Sequence, residues 1–429
     1  MKKVYLSFST DIIHEGHLNI IREAKKYGKL IIGVYSDEAI TKFDRYSTLD
    51  FEDRKNLFEN IPDVEKIVIQ NEVSYKKILN ELKPDFLIHG DNWQKGPLSY
   101  IRNEAIEVLE SYGGQLIEIP YTYNENVARL DKNQREILGM PEYRRKRLRT
   151  LLNIKPYLKV IEVHNGITGL IAEKTVVYNN GEMDQFDAMW ISSLCDSTAK
   201  GKPDIELVDM TSRIQTIEEV MDVTTKPIIL DGDTGGLIEH FVYNVKTLER
   251  IGVSAVIIED KIGLKKNSLF GTDVEQTQDT IEHFSEKIKE AKKALRTNEM
   301  MIIARVESLI LKQGLNDALI RAFNYVEAGA DGIMIHSKEK KPDEIFEFCN
   351  EFRKKDKKTP VVVVPTSYNI ATEEELNKNG ANIIIYANQL IRSAFPAMKE
   401  TAIEILKHKR AKEVDDKLLS IKEIITLID

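Results

Sequence analysis

Ala255-Val256-Ile257-Ile258-Glu259-Asp260-Lys261-Ile262-Gly263-Leu264-Lys265-Lys266-Asn267-Ser268 runs from an apolar stretch into two carboxylates and then into a cationic loop. The first four residues read as a buried strand. Carboxylates at a strand end suit a divalent cation. A loop carrying Lys265, Lys266, Asn267 and Ser268 suits closure over an anionic ligand. The stretch therefore points to metal-assisted chemistry on a phosphorylated or carboxylated small molecule.

Seven more strand candidates flank this one: Lys159–Val163, Ala188–Ile191, Pro227–Leu230, Met301–Ala304, Gly332–Ile335, Val361–Val364 and Asn382–Ile385. Amphipathic helices fit between most of them, such as Thr280–Leu295 and Leu315–Ala328. Eight strands alternating with helices over residues 158–429 match a (β/α)8 TIM-type barrel, with a doubly wound sheet as the competing topology. At 429 residues the chain exceeds the size of one ordinary core, so a second domain is expected. Residues 1–135 supply it. Val4–Phe8, Leu30–Tyr35, Lys66–Ile69, Phe86–His89 and Gln115–Ile119 read as strands, with His17–Tyr27 helical after the first. That alternation predicts a Rossmann-like, doubly wound parallel sheet, making the whole chain α/β. Between the domains, residues 136–157 hold the basic run Arg144-Arg145-Lys146-Arg147-Leu148-Arg149. It reads as a solvated linker helix, with a docking surface as the alternative.

In a barrel, chemistry gathers where the strands end. Those positions here are Trp190, Asp231 with Asp233, Glu259 with Asp260, Arg305 with Glu307, and His336. Asp231-Gly232-Asp233-Thr234-Gly235-Gly236 reads on its own as a turn with capping aspartates; beside Glu259 it reads as a Mg2+ site. These residues, with Trp190-Ile191-Ser192-Ser193-Leu194, Lys202-Pro203-Asp204, Ala304-Arg305-Val306-Glu307-Ser308, His336-Ser337-Lys338 and Ala387-Asn388-Gln389, closely resemble phosphoenolpyruvate mutases of the isocitrate lyase superfamily. That family interconverts phosphoenolpyruvate and phosphonopyruvate. The resemblance implies Mg2+ on Asp231, with Asp204, Asp233 and Glu259 holding its waters. Trp190 and Ser192 would position the pyruvyl part, and Arg305 and His336 would contact substrate oxygens. Lys265, Asn267 and Ser268 would cradle the phosphoryl group from a gating loop. The superfamily's carbon–carbon lyases carry a lysine–lysine–cysteine–glycine–histidine loop; Lys265-Lys266-Asn267-Ser268 lacks its thiol. A phosphonopyruvate hydrolase is the nearer alternative, and Asn267 favours the mutase. Cys195 and Cys349 read as core thiols.

In the first half, His14-Glu15-Gly16-His17 follows a strand and opens a helix, a place where imidazoles and the helix dipole grip phosphate oxygens. With Asp11 before it and His89-Gly90-Asp91-Asn92-Trp93 downstream, the motif resembles the nucleotidyltransferase superfamily, in particular cytidylyltransferases. The resemblance implies CTP bound by Ser9, Asp11, His14, His17, Asp91 and Trp93. His14 and His17 would be catalytic, Mg2+ would assist, and an acceptor phosphonate would displace pyrophosphate. Three departures stand out: Phe8-Ser9-Thr10 replaces glycine–threonine–phenylalanine, Tyr121 replaces an arginine, and Tyr123-Asn124-Glu125-Asn126-Val127-Ala128-Arg129 replaces the hydroxyl-bearing triphosphate motif. A non-catalytic nucleotide-binding or assembly module is the rival for this half.

Both halves together resemble a bifunctional fusion of phosphonate biosynthesis. The acceptor would be of the 2-hydroxyethylphosphonate or 2-aminoethylphosphonate kind. The family implies a homo-oligomer, tetramer or dimer, formed through the barrel, and the carboxyl-terminal helices around Ala397–Lys407 and Ile421–Leu427 are available for it. A net charge of −8 argues against nonspecific nucleic-acid binding. No apolar run reaches the ~18–20 residues of a membrane span. The polar start and only two cysteines suit the cytoplasm.

Overall fold

The computed structural model describes residues 2–43, 47–120, 133 and 136–428. Two compact units emerge: Met1–Gln134 with Val176–Gln185, and Arg135–Thr175 with Phe186–Asp429.

In the first unit, β1 (Lys3–Phe8), β2 (Lys29–Tyr35), β3 (Val64–Gln70), β4 (Phe86–Gly90) and β5 (Gln115–Ile119) form one sheet in the order β3-β2-β1-β4-β5. Every pairing is parallel. Val4, Leu6, Ile32, Val34 and Ile88 fill one face, and Tyr5, Ile31 and Leu87 fill the other, as burial of both faces of a parallel sheet requires. Strand order reverses between β1 and β4, so the crevice at their carboxyl ends is the natural ligand site.

The second unit starts with the helix Pro141–Ile154 and β6 (Leu158–Glu162). The chain then lends the hairpin β7 (Val176–Asn179) and β8 (Glu182–Gln185) to the first unit, where Glu182 pairs with Lys42 at 3.2 Å. It returns as β9 (Ala188–Ile191), β10 (Ile228–Asp231) and β11 (Ala255–Glu259). A short antiparallel pair follows, β12 (Lys261–Ile262) with β13 (Thr277–Gln278). The last strands are β14 (Met301–Val306), β15 (Gly332–Ile335), β16 (Val361–Val363) and β17 (Ile383–Tyr386). The eight long-range strands close as β6-β9-β10-β11-β14-β15-β16-β17, which decides for the barrel over the doubly wound alternative. Alternate residues along each strand point in and out. Val160, Trp190, Ile229, Ile257, Ile303, Met334 and Val362 fill the interior, while Ile161, Ile191, Leu230, Val256, Ile258 and Ile302 pack under the helices.

The basic run is not a solvated linker. Leu148 and Leu151 of Pro141–Ile154 join the interior cluster of the barrel. Arg144, 1% exposed, donates to Thr224 Oγ1 and the Lys226 carbonyl, both at 3.1 Å, just before β10. Arg145 and Arg149 bond Glu299, ahead of β14, and Arg149 also reaches Asp331, ahead of β15, at 2.7 Å. The helix therefore plugs the amino-terminal mouth of the barrel, and its arginines tie off strand starts whose carbonyls have left the ladder. Arg144→Met is expected to remove about 3 kcal/mol from the barrel, because several carbonyls lose a charged donor. The urea midpoint of the barrel's unfolding transition measures this; an unchanged midpoint would show that water replaces the guanidinium without loss.

Candidate active site

The carboxyl ends of the barrel strands converge on one cavity. It is lined by Trp190 of β9 and Ser192 just after it, Asp231 of β10, Glu259 of β11, Arg305 of β14 and His336 after β15. Asp204, from the connection after β9, and Lys265, Asn267 and Ser268, from the loop between β12 and β13, complete it. Asp233 is not among the lining residues but lies two positions past Asp231, bonded to Lys265. These groups meet because each lies at or just beyond a strand end, where the polar turn begins.

The loop reaches in by three side chains. Lys265 Nζ donates to Asp204 Oδ1 at 2.9 Å and makes shorter bonds to Asp233 and Ser193. Asn267 Nδ2 donates to Asp204 Oδ2 at 3.0 Å. Ser268 Oγ donates to Glu307 Oε2 at 2.5 Å, and accepts from Arg305 at 2.6 Å and from Lys261 at 3.0 Å. A hydroxyl has one donor and two acceptor positions, so Ser268 is saturated here. To touch a phosphoryl oxygen it must exchange one of these partners.

The electrostatics divide the carboxylates. Burial alone would raise Asp231, but Lys265, Arg305 and Arg213 outweigh it and hold the carboxyl down at about 2. Asp233 moves the other way, raised because burial outweighs Lys265 and Arg213. Burial also lifts Glu259 to about 7, against the pull of Arg305 and Lys261. His336 is pushed down to about 4 by burial and by Arg305, so its ring is neutral at pH 7.

Among the described residues, no three His, Cys, Asp or Glu side chains close into a ready metal cage. The ammonium of Lys265 lies between Asp204 and Asp233, where sequence places a cation's carboxylates. The donor set nevertheless fits Mg2+. Asp204, Asp231, Asp233 and Glu259 are hard oxygen ligands, an ammonium is already accommodated among them, and both oxygens of buried Glu259 lack a hydrogen-bond partner.

Several neighbours escape a reading of strand ends alone. Ser193 donates through N–H at 3.2 Å and through Oγ at 2.8 Å to Asp231 Oδ2. Arg213, on the helix Met210–Met221, donates to Asp233 Oδ2 at 2.9 Å. Lys261 bonds the loop from its base. Nothing local marks Lys261 or Arg213 for these contacts.

In the first unit, His14 caps the helix Glu15–Ala24. Its Nδ1 accepts from Gly16 N at 3.1 Å, and His17 Nδ1 accepts from His14 N at 3.4 Å. With Nδ1 accepting in each ring, Nε2 is the nitrogen left to donate. The rings stack at 3.7 Å beside the carboxyl end of β1, at the topological switch point. Ser9 follows β1 directly, and Asp11 anchors the 47–49 segment through Thr48 Oγ1 at 2.8 Å. Asp91 and Trp93 form a single turn after β4. Trp93 is 2% exposed, stacked on His89 at 3.8 Å, with Nε1 donating to Glu118 at 2.8 Å. Its ring packs in the core beside Tyr75. Tyr121 and 123–129 lie outside the described residues.

Residues 148–406 match the family model for phosphoenolpyruvate phosphomutase, and residues 9–147 match the cytidylyltransferase-like model. The phosphoenolpyruvate phosphomutase of Tetrahymena pyriformis is 36% identical over 281 residues, covering 65% of this chain and 89% of that one. The phosphonopyruvate hydrolase of Variovorax sp. is 37% identical, covering 61% and 89%. A crystal structure of phosphonopyruvate hydrolase with oxalate and Mg2+ superimposes with a TM-score of 0.59 at 32% identity, covering 66% of this chain and 94% of that one. The chain thus belongs to the phosphoenolpyruvate phosphomutase family and carries a cytidylyltransferase-like domain ahead of its barrel.

Proposed function

We propose that the barrel interconverts phosphoenolpyruvate and phosphonopyruvate, and that the amino-terminal domain transfers CMP from CTP to a phosphonate acceptor. The observation that carries the first half is the descent of Lys265, Asn267 and Ser268 onto Asp204, Asp233 and Arg305 in one cavity. It supports a loop that sequesters a phosphoryl group, and the loop itself carries no thiol to act as a lyase acid.

Trp190 and Ser192 flank the pyruvyl part, and the Ser192 backbone opens the helix Ser193–Ala199 toward its carboxylate. In the direction from phosphonopyruvate, the C–P bond breaks, its electron pair enters the enolate, and the enolate oxygen forms the new O–P bond. Arg305 and neutral His336 face the migrating group's oxygens, while Lys265 and Asn267 supply positive charge and a donor. A loose phosphoryl-transfer transition state asks for positioning and charge of this kind. Mg2+, held through Asp231 with Asp204, Asp233 and Glu259, would supply Lewis-acid polarisation of substrate oxygens.

In the amino-terminal domain an acceptor oxygen attacks the α-phosphorus of CTP, and the bond to pyrophosphate breaks. The Nε2–H groups of His14 and His17 face the charge that develops. The acceptor class proposed is 2-hydroxyethylphosphonate or 2-aminoethylphosphonate, to which the product of the barrel can be processed by further steps. Assembly through the barrel is part of the same reading. Its carboxyl-terminal helix Gln389–His408 has no buried residue and exposes Phe395, Met398 and Leu406. No helix among the described residues is long and apolar enough to cross a membrane.

The hydrolase match keeps a second reading open for the barrel: release of phosphate and pyruvate from phosphonopyruvate. Asn267→Ala separates the roles. It is expected to slow mutase turnover about tenfold to a hundredfold, the worth of one hydrogen bond to a charged group, while Mg2+ still binds through Asp231. Turnover equal to that of the unaltered protein would remove Asn267 from the reaction.

A further inference from the structure

Lys261 stands at the base of the loop yet holds both of its legs. On β12 it is 3% exposed, and its ammonium donates to the Lys266 carbonyl at 3.1 Å, Ser268 Oγ at 3.0 Å and Gln276 Oε1 at 2.8 Å. An ammonium has three protons, so these bonds use all of them. Lys266 and Ser268 belong to the inward leg and Gln276 to the return leg, so one side chain pins the loop across its width. Gln276 extends the clasp, donating through Nε2 to the Gly271 carbonyl at 2.7 Å. Glu259 at 3.3 Å and Glu307 at 3.5 Å offset the buried charge. Ser268 binds Glu307 as well, so the clasp ties the loop tip to the ends of β11 and β14.

We infer that Lys261 is a positioning residue that fixes the loop over the cavity and thereby decides the fate of the transferring phosphoryl group. The inference rests on the mutase reading. With the loop pinned, the only nucleophile facing the phosphorus once the C–P bond breaks is the enolate oxygen, and O–P bond formation gives phosphoenolpyruvate. With the loop loosened, water reaches the phosphorus. Its oxygen forms the new bond, the C–P electron pair passes to the methylene carbon, and a proton from the water completes pyruvate and phosphate. Lys261 touches the loop and its carboxylate partners, so it acts on this partition through Ser268 and the Lys266 backbone.

The test uses the full-length protein with phosphonopyruvate and Mg2+, and counts phosphoenolpyruvate against phosphate. Lys261→Met is expected to raise the share of phosphate at least about tenfold. Gln276→Leu, which leaves Glu259 and Glu307 their partner, should shift it the same way to a smaller extent. Amide hydrogen exchange over 263–276 should quicken in both variants. A merely structural lysine would lower the rate without moving the partition. Slower turnover at a fixed product ratio in both variants would overturn the inference while leaving the mutase reading intact. If the unaltered protein released only phosphate, the mutase reading would fail and with it the partition. Exchange would then decide the clasp by itself: unchanged protection of 263–276 in Lys261→Met would remove it.

Discussion

Lys265→Met is expected to lower turnover of phosphonopyruvate by about 10²–10³-fold, the usual cost of deleting one preorganised charge from an enclosed site. The Lys265 side chain is 4% exposed and sits between Asp204 at 2.9 Å and Asp233, with Ser193 as a third partner. No other ammonium occupies that position among the described residues. Methionine keeps the length and removes the charge, so the fold should persist: the barrel interior is built from Val160, Trp190, Ile229, Ile257 and Ile303, none of which needs the loop. Initial rates give the effect, and the thermal transition of the barrel gives the control. A rate within threefold of the unaltered protein, at equal stability, would show that Lys265 serves only to neutralise carboxylates.

In the amino-terminal domain, His14→Ala and His17→Ala should each reduce nucleotidyl transfer by about 10²–10³-fold. Their rings stack at 3.7 Å and each accepts a backbone N–H at Nδ1, so loss of one disturbs the orientation of the other. Groups acting as a unit are not additive, and the double variant should therefore be little worse than either single one. Pyrophosphate release from CTP, with 2-aminoethylphosphonate and then 2-hydroxyethylphosphonate as acceptor, measures it; barrel turnover in the same samples should be unchanged. CTP binding by calorimetry without pyrophosphate release in the unaltered protein would instead favour a binding module.

The barrel was legible because its strands are short β-branched runs separated by helices, and the observed strands lie within two residues of those expected. Strand ends gave Asp231, Glu259, Arg305 and His336 for the same reason: polar residues stop a buried strand. Three features were hidden. Arg144 to Arg149 looks like a solvated run because local composition cannot report that strand-start carbonyls await donors. The hairpin β7–β8 is too short and exposed to carry a period, and its contacts in the first unit, with Lys42 and Ile101, are far away in sequence. Arg213 reaches Asp233 from a helix whose pattern marks only its buried face. Trp93 has a partner that the motif could not show: its indole N–H donates to Glu118, which Arg102 holds in a paired geometry at 2.8 Å and draws down to about 2.

Phosphorus NMR of the full-length protein with phosphonopyruvate and Mg2+ tests the central claim most directly. The account predicts that the phosphonate signal gives way to that of phosphoenolpyruvate, because Lys265, Asn267 and Ser268 close the cavity against water while the phosphoryl group moves from carbon to oxygen. Inorganic phosphate appearing in its place, with pyruvate in equal amount, would contradict it and assign the barrel to hydrolysis.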